Sequence, residues 1–220
     1  MRHSLTTLLL LFALAVITSA CASGPLPTPA GPVDVTGSPT SGATPGPVAT
    51  PTGPGDPPAA DAASCDGLLT GVAVDEVNVP EGATCTLEAA DVDGNVFVRQ
   101  GATLNAAGVS IGGNLQAQGA AEVNVTTASV GGNLQIERGG SSTISGNSIE
   151  GDLQWEGQTG ALVAQGNDIG GNLQADENTG GLTITGNNID GDLQCEDNDP
   201  PPTGGENAVG GDREDQCAGL

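Results

Sequence analysis

Glu137, Glu156, Asp176 and Glu196 recur at intervals of 19, 20 and 20 residues. If a fold stacks them in register, two chemistries become available. Calcium accepts about six to eight oxygen ligands in irregular geometry, so neighbouring carboxylates with an amide or water could hold it weakly. Two carboxylates could also act as acid and base on a glycosidic bond. With 27 acidic residues in the chain, no pair stands out for that second role. The GGxGxDxUx repeat of calcium-dependent β-rolls is absent, so calcium is expected not to be needed for folding. No cofactor is expected beyond such weak calcium binding.

Composition removes several other chemistries. The chain has no Lys and no Tyr, and its one His is His3. A Ser or Cys nucleophile would find no His base in the remainder of the chain. Beyond residue 20 the cations are Arg99, Arg138 and Arg213 against 27 acids, a net charge of −24. Nucleic-acid phosphates and anionic headgroups are bound through Lys and Arg, so nucleic acid is excluded as a partner.

The elements that must position these residues follow from a repeat. Asn95, Asn114, Asn133, Asp152, Asn172, Asp192 and Asp212 each follow a glycine, at spacings of 19, 19, 19, 20, 20 and 20. Three residues before each stand Val92, Ile111, Val130, Ile149, Ile169, Ile189 and Val209. One residue after stand Val96, Leu115, Leu134, Leu153, Leu173 and Leu193, until Arg213 breaks the column. Apolar pairs such as Val123/Val125 and Leu182/Ile184 lie two residues apart, the period that puts both on one face of a strand. Helices are implausible with 36 glycines and no helical periodicity. One repeat cannot bury its apolar face alone, whereas stacked repeats share a continuous core. The sequence therefore predicts an all-β, single-stranded parallel β-helix, a solenoid of about 19–20 residues per rung over residues 65–220.

Within that frame Asn147, Asn167, Asn187 and Asn207 fall on one inward column, five residues before each repeat origin. At about 4.8 Å per rung they are expected to form a structural Asn ladder that pairs buried turn backbone. Gln116, Gln135, Gln154, Gln174 and Gln194 form an outward amide column beside the acidic one. A second outward stripe, Thr86, Asn105, Asn124, Thr143, Val163, Thr183 and Thr203, is small and uncharged. It is too irregular for an ice-binding face and suits a β-branched strand surface. Trp155, the one Trp, is expected in the core. Four cysteines beyond Cys21 allow three pairings. Cys65 and Cys85 are 20 apart, Cys195 and Cys217 are 22 apart, each about one rung. Disulfides Cys65–Cys85 and Cys195–Cys217 would then close the two ends, and no CxxC or His supports a metal site instead.

The N-terminal third has a different character. Residues 1–20 read as an export signal, with Arg2 followed by an apolar stretch from Leu8 to Ile17 too short to span a bilayer. Thr18-Ser19-Ala20-Cys21 resembles the bacterial lipobox, with Thr18 where an aliphatic residue is usual, and implies lipidation of Cys21. Ordinary signal cleavage nearby is the alternative. Residues 21–64 hold eleven prolines among Gly, Ala, Thr and Ser, a composition for a disordered tether.

"NVPEGATCTLEAADVDGNVFV", "VGGNLQIERGG" and "GDLQCEDNDPPPTGGENAVGGDREDQC" resemble an uncharacterised family of secreted bacterial β-helix proteins. The resemblance covers residues 65–220 and implies a right-handed parallel β-helix, with no catalytic or binding residues to carry over. The family often has basic residues in the closing motif, where Glu196 and Arg213 stand here. Enzymes on this fold include polysaccharide lyases, whose base is usually Lys, Arg or His, so an enzyme is not expected. The expected function is a non-catalytic extracellular structural or adhesion module of the cell envelope, exported and lipid-anchored to the membrane, monomeric, with an envelope glycan or protein as partner. Weak cation or glycan binding is the alternative, ahead of a polysaccharide-acting enzyme.

Overall fold

A computed structural model describes residues 62–220. The export segment, Cys21 and residues 21–61 of the tether lie outside the described residues. The strands here form three parallel sheets of nine, eight and eight strands, winding as about eight turns of a β-solenoid. Each turn visits the sheets in the same order. One turn runs Leu153–Glu156 in sheet 1, Leu162–Gln165 in sheet 2 and Asp168–Ile169 in sheet 3. Strand pairing puts every repeat origin above the previous one, as in Leu134↔Leu153↔Leu173↔Leu193. The solenoid also starts slightly earlier than the sequence suggests. Ala62–Ser64, inside the stretch assigned to the tether, already pairs with Glu76–Val79.

Alternation within each strand separates core from surface. Leu153 and Trp155 point inward while Gln154 and Glu156 point out, the pattern set by the two-residue strand period. The core columns hold Val, Leu, Ile and Ala, with Trp155 only 1% exposed as expected. In the sheet 2 core column Ser142 stands between Val123 and Leu162, in the turn before the one that carries this bulky indole. Ser142 Oγ and Trp155 Nε1 are the buried side-chain polar atoms with no hydrogen-bond partner among the described residues.

The glycine before each origin is there for close approach rather than for a special φ. A Cβ on Gly113 would sit 2.6 Å from Asn95 Oδ1, and one on Gly171 would collide with Asp152 Oδ1. Two other corners use the left-handed region. Gly146, Gly166 and Gly186 (φ 62–65°) precede the inward Asn column, and Arg138 and Glu177 adopt φ of 51° and 55° at the other corner.

Both disulfides form as the spacing suggests, Cys65–Cys85 and Cys195–Cys217, each with Cα atoms 5.3 Å apart. Each joins adjacent turns near the corner between sheets 1 and 2, one at either end of the solenoid. In the chain-entropy view, closing a loop of this size contributes about 3 kcal/mol.

Candidate functional site

The outward face of sheet 1 carries the richest polar chemistry. Its strands are in register, so Glu137, Glu156, Asp176 and Glu196 lie side by side as the spacing implies. Beside them runs the glutamine column. Gln135 donates to Gln154 at 2.6 Å, Gln154 to Gln174 at 2.7 Å and Gln174 to Gln194 at 2.8 Å. Gln194 ends the run by donating to Glu214 Oε2 at 3.0 Å. The amides thus point the same way, each Nε2 toward the next turn. Between the two columns lies an open groove of about 420 Å³, lined by Gln154, Gln174, Gln194, Glu156, Asp176 and Glu196 among others.

The acidic column is not uniform. Glu137 is paired with Arg138 at 2.9 Å and accepts from Gln118 at 3.5 Å. Glu156, Asp176 and Glu196 face solvent, and like charges directly opposite in a sheet repel. Among the described residues no three His, Cys, Asp or Glu side chains gather closely enough to hold a metal ion. The column offers neighbouring pairs of carboxylates, well short of the oxygen cage that tight calcium binding needs.

Toward the N-terminal end the face is of mixed charge, with Glu81 near Arg99. Arg99 donates to Asn78 Oδ1 at 2.9 Å, with its guanidinium 5.2 Å from the centre of the Phe97 ring. Arg99 and Arg138 border a second, shallower depression of about 790 Å³ with Gln118. The stripe from Thr86 to Thr203 on sheet 2 is in register too. It is linked by Asn124 to Asn105 at 2.9 Å and by Thr183 to Thr203 at 3.4 Å, and Val163 interrupts it.

The inward Asn column does the structural work expected of it. Asn187 Oδ1 accepts from both the backbone N–H and the Nδ2 of Asn167, and Asn167 Nδ2 also donates to the Ile144 carbonyl at 2.8 Å. The same pattern links Asn147 to Asn167 and Asn187 to Asn207. Every polar atom of these amides is occupied, which leaves none for a ligand.

Two further ladders escaped the sequence reading. Gln158, Asn178 and Asn198, each at most 3% exposed, repeat the inward arrangement at the corner between sheets 1 and 2. Their signal was present: three amides spaced by 20, where the earlier turns have Ala120 and Gly139. The third ladder is the repeat origin itself. Asn114, Asn133, Asp152, Asn172, Asp192 and Asp212 each donate their backbone N–H to the side chain one turn earlier, at 2.7–2.9 Å. That backbone bond needs only an acceptor oxygen, so Asp and Asn alternate freely there. The inward columns need a donor as well, and their polar members in the ladders are only Asn and Gln.

The last turn closes each column with a different side chain. Arg213 Nη2 donates to the Asn207 carbonyl at 2.8 Å, at the end of the Asn ladder. Glu214 ends the glutamine column. Gln216 accepts from Asn198 N–H and Nδ2 and returns a bond to its carbonyl at 2.9 Å, ending the second ladder. The break at Arg213 is therefore a cap.

Comparison with family models, with curated proteins and with solved structures gave no match.

Proposed function

We propose that the chain is a non-catalytic module of the bacterial cell envelope, exported, lipid-anchored through Cys21 and serving a structural or adhesive role. The observation that carries this reading is how the polar side chains are used. The buried amides and the glutamine column bond to the next turn, so they build a stiff scaffold whose outward faces are regular. Composition supports the same view, since no Lys and only His3 are present to serve as the base of a lyase or of a Ser or Cys nucleophile. The Pro-rich stretch between Cys21 and the first strand suits a spacer, and the closing motif's likeness to secreted β-helix proteins fits export.

A second reading rests on the groove beside the glutamine column. Its amides and carboxylates are the groups that hydrogen-bond sugar hydroxyls, so weak glycan binding is the alternative, with a divalent cation as the other candidate ligand.

Fractionating bacteria that express the full chain tests the anchor. The wild type should sediment with membranes, and Cys21→Ser should release it. Co-sedimentation of the purified chain with isolated wall polysaccharide tests adhesion. Retention lost in Gln174→Ala with Asp176→Ala would favour the groove, while release of new reducing ends from any polysaccharide would overturn the non-catalytic assignment.

A further inference from the structure

Three depressions on the outer face of sheet 1 run into one another. The groove beside the glutamine column shares Gln135 and Glu137 with a pocket of about 200 Å³ lined by Phe97 and Gln116. That pocket in turn shares Arg99 and Gln118 with the depression at the N-terminal end. Strand pairing runs one column through all three, Asn78↔Phe97↔Gln116↔Gln135 and on through the glutamines to Glu214. Phe97, Gln135, Gln154, Gln174 and Gln194 are half-buried, whereas Glu156, Asp176 and Glu196 beside them are exposed. The glutamine column is therefore part of a longer trough that crosses the strands.

The chemistry of this trough suits one class of ligand. Each amide from Gln154 to Gln194 uses one N–H and one carbonyl lone pair in the ladder, which leaves one of each. A donor and an acceptor thus recur at every turn, about 4.8 Å apart. One pyranose unit of an extended β-1,4-linked glycan is close to that length and presents hydroxyls that both donate and accept. Of the two aromatic side chains among the described residues, Trp155 lies in the core and Phe97 faces outward. An outward aromatic ring can pack against the C–H face of a sugar. Charge favours a neutral chain. A polyanion would meet Glu156, Asp176 and Glu196 and a net charge of −24, and a polycation would meet Arg99 and Arg138.

We infer that the outer face of sheet 1 binds an extended, neutral β-1,4-linked glycan laid along the solenoid, over the turns from Phe97 to Glu214. Phe97 packs against one sugar ring, and the glutamine amides hydrogen-bond the hydroxyls of the rings that follow. This rests on the glycan reading of the groove and deepens it, naming the polymer, its direction and one end of its site.

The test uses the full chain with Cys21→Ser, so that no lipid contributes, in calorimetric titration with cello-oligosaccharides of increasing length. Affinity should rise by about tenfold or more from the disaccharide to the hexasaccharide, as more turns are engaged. Phe97→Ala should weaken hexasaccharide binding by about tenfold. Thr183→Ala, on the outer face of sheet 2, should leave it unchanged. Unaltered far-UV circular dichroism would show that each variant folds. Galacturonan and chitosan oligomers of the same length should bind at least about tenfold more weakly. Length-independent affinity, indifference to Phe97→Ala, tighter binding of a charged oligomer, or no binding of any cello-oligosaccharide would each overturn the proposal. The groove reading would survive the first two results if Gln174→Ala with Asp176→Ala still abolished binding. After the last it would stand or fall on co-sedimentation with wall polysaccharide.

Discussion

The early and late turns of this solenoid bury the same corner with opposite chemistry. Ala90, Val109 and Ala128 are 2–4% exposed there, and Asn147, Asn167 and Asn187 are 1–2% exposed. The spacing changes at the same place, from 19 residues per turn to 20 after Asp152. The added residue falls at the other corner, between sheets 1 and 2. Strands in sheet 2 shorten with it, from five residues at Ser141–Ser145 to four at Leu162–Gln165. Gln158 and Asn178 appear at that longer corner. A longer turn removes backbone groups from the strand ladder, and a buried side-chain amide supplies the partners they lose. Apolar filling and amide filling are thus two solutions for one wall. The second makes stability depend on an uninterrupted column.

The largest effect should come from putting the wrong acid in the right place. Asn167→Asp removes a donor that serves two acceptors and buries a carboxylate, and should cost about 3–5 kcal/mol in urea unfolding. Asp152→Asn, at a ladder that uses only an acceptor, should stay within about 0.5 kcal/mol. Equal costs for the two would erase the distinction between the ladders.

The ends supply the next contrast. Replacing Cys195 and Cys217 by Ala should cost about 3 kcal/mol and release the last turns first, seen as amide exchange confined at low denaturant to residues beyond Leu193. A single cooperative loss of the whole domain would mean that this end is not a separable cap. Arg213→Ala should cost about 1–2 kcal/mol, because it uncovers the final carbonyl of the Asn ladder. Arg99→Ala, in the early turns, loses only surface contacts and should cost about 0.5 kcal/mol or less.

The smallest effect concerns ions. Glu156, Asp176 and Glu196 repel one another, so salt should raise the melting temperature. Calcium and sodium at equal ionic strength should do so alike, since screening does not distinguish them at a site without a cage. A rise confined to calcium, and lost in Glu156→Gln with Asp176→Asn, would establish a specific site.

Sequence alone determined the solenoid, its register and its disulfides. The reason is that stacking multiplies one local pattern. A two-residue strand period and a fixed repeat place Leu134, Leu153 and Leu173 on one line. They also bring cysteines about one turn apart within reach of each other, each bridge lying two residues off the strand register. The outward columns were legible for the same reason. The tertiary structure decided which polar groups each column satisfies. The direction of the amide bonds, the tolerance of Asp at Asp152 and its exclusion at Asn167 depend on which neighbouring atoms are donors. So does the conversion of Arg213 from a broken repeat into a cap, because its partner at Asn207 is set by the turn and not by the period. Periodicity fixes where a side chain stands. What it bonds to depends on the atoms that the adjacent turn leaves unpaired.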